Sequence, residues 1–123
     1  MTKQDKTLAT ITHVVSGGAM LLSAGMVGWL VPLIIFFVKK KESRFVAYHA
    51  LQSVFLHVAL FIAAIICGIL ALPTLGLSVF IVLPALGILG IVAEVFAAMR
   101  ANEGKWFGIP FVGQWTRNAL GEP

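Results

Sequence analysis

Phe45-Val-Ala-Tyr-His-Ala-Leu-Gln-Ser-Val-Phe-Leu-His57 is the stretch that decides how this chain folds. A basic cluster, Lys39-Lys-Lys-Glu-Ser-Arg44, precedes it, and an apolar run over 58–72 follows without a break. Its polar residues are His49, Gln52, Ser53 and His57. Spacings of three and four make them neighbours on one helical face. They form a single polar stripe on a helix that is otherwise apolar all round. Such a stripe turns toward protein, an aqueous cleft or a ligand, and away from hydrocarbon.

The rest of the chain agrees with a lipid solvent. Of 123 residues, 59% are hydrophobic and only 11% charged, and the mean hydropathy is +0.98. A soluble domain carries about 25% charged residues, so this chain lacks the polar groups to cover a globule in water. The net charge of +4 does not indicate nucleic acid, because the basic residues flank apolar spans without an interleaved aromatic pattern. There they orient the protein and meet anionic headgroups. The single cysteine, Cys67, lies inside an apolar run and reads as a packing residue.

Three apolar segments follow in order. The first covers 8–38, too long for a signal-peptide core of roughly 7–15 residues. It is either one long span kinked at Pro32, or an interfacial helix followed by a short membrane helix after a break between Ser23 and Pro32. The second covers 45–72 and the third 77–100, joined by the uncharged turn Pro73-Thr-Leu-Gly76. Residues 101–123 carry Trp106, Phe107, Phe111 and Trp115 beside Lys105 and Arg117, with Gly104, Gly108 and Pro110 as helix breakers. This predicts an interfacial tail that lies along the cytoplasmic interface or packs back against the basic loop and the start of the second helix. With three spans, Lys3 and Lys6 lie on one side of the membrane. Lys39, Lys40, Lys41, Arg44, Arg100, Lys105 and Arg117 lie on the other. That asymmetry puts the basic loop and the C-terminus in the cytoplasm. If the first stretch is instead re-entrant, the N-terminus returns to the cytoplasm and every basic residue lies inside, so the rule fixes the loop and tail and leaves the first segment open.

Three short blocks resemble a known family. Tyr48, His49, Ala50 and Gln52 fit an aromatic-His-Ala-x-Gln block. Gly104-Lys-Trp-Phe-Gly-Ile-Pro-Phe111 fits a Gly-Lys-aromatic-x-x-Ile-Pro-apolar block, and Val31-Pro-Leu33 fits an apolar-Pro-Leu before the basic loop. In this order they are similar to the Tic-twenty-like membrane proteins, which include a chloroplast inner-envelope import component and small bacterial relatives. The resemblance covers about residues 30 to 115. It implies a helical membrane protein without cofactor or catalytic residues and suggests a link to protein translocation. The expected location, with the basic loop and C-terminus in the cytoplasm, is a bacterial inner membrane.

The candidate site residues are polar groups within or beside the spans. His49, Gln52, Ser53 and Glu94 are expected to make polar contacts inside the membrane. Glu94 is the one carboxylate in a predicted span. At the centre of a span it costs about 2.5–3.5 kcal/mol, so it needs a partner. Equal depths below Arg44 and Arg100 predict that His49 and Glu94 approach each other between the second and third helices. A lone histidine near mid-membrane, His57, is the candidate ligand for a chlorophyll-type pigment. His13 begins the first segment and His49 lies near the interface, so neither completes a two-histidine haem with it. Ser53 and His57 at spacing four, with Glu94, also suggest a Ser–His pair, but no nucleophile elbow accompanies them. The partner or interface surface is assigned to Lys39, Lys40, Lys41, Arg44, Trp106, Ile109, Pro110, Phe111 and Trp115.

The expected protein is therefore all-α: a single polytopic helical membrane domain of about three transmembrane helices with an interfacial tail. No catalytic residues, metal site or cofactor are predicted, and its partners are the bilayer, other membrane subunits or further copies of itself. The function expected is a non-enzymatic accessory subunit of a membrane complex. The alternatives are a pigment-binding accessory subunit of a photosynthetic or respiratory complex, and a small oligomeric transporter.

Overall fold

In the computed structural model, which describes residues 2–23 and 28–120, every regular element is helical. Helix α1 (Lys3–Ser23) starts with a capping box. The Asp5 amide donates to Thr2 Oγ1 at 3.0 Å, and the Thr2 amide donates to Asp5 Oδ2 at 3.4 Å. Ala9, Thr12, His13 and Ser16 are buried along one face, while Ile11, Val14 and Val15 face outward. Helix α2 (Leu30–Lys39) is short and apolar. Pro32 does not kink a long first helix. It sits in the first turn of a new one, where its missing N–H leaves no bond unmade. The predicted weak point falls partly on residues 24–27, outside the described residues.

Helix α3 (Arg44–Ile69) is capped by Ser43, whose hydroxyl accepts from the Val46 amide. Its first half is buried almost all round, from Phe45 to Leu56, and its second half exposes Phe61, Ile62, Ile65, Ile66 and Ile69. The turn after it is closed by the Gly76 amide on the Ala71 carbonyl at 2.7 Å, with Gly76 at φ +85°. A π-helical turn (Ser78–Val82) leads into α4 (Leu83–Asn102). Pro84 explains the wide turn: its ring crowds the carbonyl four residues back, and widening the helix there relieves the clash. The last helix is α5 (Val112–Leu120).

Among the described residues, two helices are long and apolar enough to cross a membrane, one running Arg44–Ile69 and the other Ser78–Asn102. The predicted first segment is divided between α1 and α2 instead of forming a third such helix.

Contacts set the directions of the helices. Ala9 packs with Phe45 and Ala101, and one turn further on His13 meets His49 and Glu94. Thus α1 runs parallel to α3 and antiparallel to α4. Helix α2 returns through the loop over 40–43 to the start of α3. The N-terminus, the basic loop and the tail consequently share one end of the bundle. That end holds all nine Lys and Arg residues. Of the two alternatives for the first segment, this shared end matches the re-entrant one, with α1 and α2 entering and leaving at the same end, and not the three-span one that sets Lys3 and Lys6 opposite the other seven.

Candidate functional site

Helix α3 supplies the backbone of a buried polar cluster. His49, Gln52 and Ser53 have no exposed surface and His57 is 4% exposed. Helix α4 brings Glu94, buried against Gly17 of α1, where an added Cβ would make an ordinary van der Waals contact with Glu94 Cβ at 3.5 Å. Helix α1 brings His13.

The geometry is a chain. His49 Nε2 donates to the Lys105 carbonyl at 3.1 Å. A carbonyl accepts only, so the His49 Nε2 carries the hydrogen. His49 Nδ1 lies 2.9 Å from His13 Nε2, and His13 Nδ1 lies 2.6 Å from Glu94 Oε2. The other carboxylate oxygen accepts from Ser53 Oγ at 2.5 Å. His57 Nδ1 donates to the Ser53 carbonyl at 2.8 Å and lies 3.8 Å from Glu94 Oε1. His49 and Glu94 are thus joined through His13 and not by a direct bond. His13 is the residue that sequence reasoning missed. Its signal was present as a small and polar face, Thr12, His13, Ser16 and Gly17, at helical spacing.

A second cluster docks the tail. Gln52 Oε1 accepts from the Ile109 amide at 2.9 Å. Tyr48 donates to the Phe107 carbonyl at 3.1 Å and accepts from Arg117 Nη1 at 3.2 Å. Trp106 stacks beside Phe45 and Tyr48, with ring centroids 5.3 and 5.2 Å away. Arg44 reaches the Leu120 carbonyl. The tail therefore packs back on the start of α3.

The partner surface assigned to the tail is divided by this packing. Ile109 is only 5% exposed and sits in a core with Leu56, Ala97 and Val112, so it faces its own chain and not a partner. Phe111 and Trp115 face outward, and Pro110 is exposed. Of the basic loop, Lys39 pairs with Glu42 at 2.8 Å, Lys40 lies over the Phe37 ring, and Lys41 is exposed. Beyond the end of α4, hydrogen bonding from Lys105 and the nearby Arg100 charge hold the Glu103 carboxyl below its usual range.

Chemically, the cluster is a hydrogen-bonded store of titratable groups, with no nucleophile set up for attack. His57 reaches the Ser53 carbonyl and not its hydroxyl. Three buried atoms lack a hydrogen-bond partner among the described residues: Ser16 Oγ, Gln52 Nε2 and His57 Nε2. Among the described residues no group of His, Cys, Asp and Glu is arranged to hold a metal ion. His57, the candidate pigment ligand, is 4% exposed. A groove of about 470 Å³ runs between α1 and α4, lined by Thr10, His13, Gly17, Ile91, Glu94 and Asn102 among others, and His57 is not part of its lining.

Comparison with known proteins places this arrangement. A UPF0132 membrane protein of Archaeoglobus fulgidus is 27% identical over 88 residues, which is 72% of this chain and 81% of that protein. No solved structure matches the chain. The Tic-twenty-like resemblance does not survive, because another family's model matches residues 4–116, a stretch that contains all three blocks. Those blocks are short, and their residues do local structural work in this chain. Tyr48 and Gln52 clamp the tail loop, and Gly104 takes a positive φ of 78°. The link to protein translocation falls with the resemblance. The chain belongs to the MamF/MmsF family, described as the magnetosome magnetite crystal formation protein family.

Proposed function

We propose that this is a non-enzymatic integral membrane protein that supports magnetite crystal formation from within a membrane, as an accessory to other subunits. The observation that carries the non-enzymatic reading is the direction of its polar groups. His13, His49, Ser53 and Glu94 spend their hydrogen bonds on one another inside the bundle, while the outer faces of α3 and α4 are apolar. Catalysis needs polar groups presented to a substrate in a cleft; His13 and Glu94 border the groove between α1 and α4, but they are 0% and 1% exposed and turn to each other. The role in crystal formation rests on the family. It is an indirect role in this reading. A mineral surface is bound by exposed oxygen ligands, and the carboxylates here are few. Of the five Asp and Glu, Glu94 is buried, Asp5, Glu42 and Glu103 lie at the basic end and Glu122 lies outside the described residues, while the opposite turn over 70–77 has no charge.

The membrane arrangement we favour has α3 and the Ser78–Asn102 helix crossing, with α1 and α2 as a re-entrant pair. All nine Lys and Arg then lie in the cytoplasm, as the positive-inside rule prefers. The test is deletion of the gene in a magnetite-forming host, with crystal size and number counted by electron microscopy. Smaller or fewer crystals, restored by the intact gene, are expected. Unchanged crystals would remove the proposed role. Retention of the protein in the membrane fraction after alkaline carbonate washing checks integral insertion separately.

A further inference from the structure

The buried chain Lys105 carbonyl–His49–His13–Glu94 contains three contacts of hydrogen-bond length, at 3.1, 2.9 and 2.6 Å. Each contact needs one hydrogen between its two heavy atoms. A neutral imidazole supplies one N–H, an ionised carboxylate supplies none, and a carbonyl only accepts. Two neutral histidines and an ionised Glu94 therefore bring two hydrogens to three contacts. Swapping tautomers moves the gap along the chain and never closes it. We propose that His49, His13 and Glu94 form a one-proton binding site, and that the bound proton holds α1 against α4.

The proton sits between His13 Nδ1 and Glu94 Oε2, as imidazolium with carboxylate or as neutral imidazole with carboxylic acid. Both forms leave the cluster uncharged, which suits burial beside hydrocarbon. No neighbour supplies the missing hydrogen. Ser53 Oγ already gives its own to Glu94 Oε1, and the His57 Nδ1 hydrogen is committed to the Ser53 carbonyl. From the tail, Lys105 takes part through its carbonyl only, and Arg117 stops at the Tyr48 hydroxyl. Arg100 on α4 pairs with Glu103, and Lys39 of α2 pairs with Glu42. On α1, Lys6 lies against Gly104 at the end of the bundle.

Loss of the proton has a defined structural consequence. The hydrogens of His49 and His13 keep the first two contacts, and the third becomes a lone pair facing a carboxylate. The seam that opens is the one between α1 and α4. The groove between these helices reaches both His13 and Glu94, so it is the path by which the proton exchanges.

Glu94→Gln gives a sharp test, because an amide brings a permanent donor for His13 Nδ1 and an acceptor for Ser53. Spin labels are placed at Ile11→Cys and Met99→Cys, both outward-facing on α1 and α4, in a Cys67→Ala background of the full chain in lipid bilayers. Without Glu94→Gln, one short label distance is expected at low pH, with a longer population growing as the pH rises. With Glu94→Gln the short distance is expected at every pH. Separation of the labels with rising pH in E94Q as well would overturn the proposal. NMR of the unsubstituted chain, with labelled histidine and carboxyl groups, decides independently of any variant. The expected pattern is one hydrogen on His49, at Nε2, and one extra proton shared by His13 and Glu94. A neutral His13 beside an ionised Glu94, with α1 still docked, would refute it. So would an extra proton found on His57 instead.

Discussion

Glu94 is enclosed by His13, Ser53 and, at a longer distance, His57. The partners are unequal, and magnitudes say which matters. Removing His13 leaves Glu94 Oε2 buried without its partner, and a buried polar group left unsatisfied costs about 1–3 kcal/mol, more if it is charged. A hydrogen bond between membrane helices is worth on average about 0.6 kcal/mol. His13→Ala is therefore expected to destabilise the protein by several times more than Ser53→Ala. Unfolding in detergent followed by circular dichroism measures both. Equal losses would mean that Glu94 is held chiefly by Ser53, or that it snorkels away when His13 is lost.

At the scale of elements, the tail is held by a close backbone crossing as well as by side chains. A Cβ on Gly113 would lie 2.4 Å from the Gly108 Cα, nearer than non-bonded carbon atoms approach. Gly113→Ala must push α5 away from the loop before it. It is expected to cost about 1–3 kcal/mol, in the range of overpacked sites, and to loosen the Tyr48 and Gln52 clamps. Faster tryptic cleavage at Lys105 in solubilised protein is the readout. Cleavage at the unsubstituted rate would show that the crossing relaxes without undocking the tail. Phe111, at φ +66°, lies inside the same turn. Phe111→Gly is expected to slow that cleavage, since glycine takes a positive φ without steric cost.

Over the whole molecule, charge and helix direction make one testable statement. The start of α1, the loop over 40–43 and the tail share the basic end, and Leu75, 93% exposed, caps the other. In intact cells an impermeant thiol reagent is expected to label Leu75→Cys and to spare Gln4→Cys and Glu42→Cys. Labelling at position 4 but not at 42 would restore three crossings and remove the re-entrant pair. Native Cys67 is buried, and a Cys67→Ala background removes its contribution.

Hydropathy alone determined that this chain is helical and lies in a membrane, since 11% charged residues cannot cover a globule in water. The spacing of His49, Gln52, Ser53 and His57 determined that α3 has an inward polar stripe, because helical periodicity is a local property of sequence. The depths of His49 and Glu94 could be counted from Arg44 and Arg100 for the same reason. What could not be counted was the residue between them. His13 belongs to α1, and its depth depends on where the chain turns between α1 and α2, which no periodicity states. The end of the bundle at which α1 starts depended on the same turn. Ile109 read as a tail residue at a surface and proved to be core, because Gln52 and Tyr48 bind the backbone around it across a separation of more than fifty residues. Tertiary structure decided these points because contacts between helices are set by packing and register, and a linear pattern of apolar and polar residues carries neither.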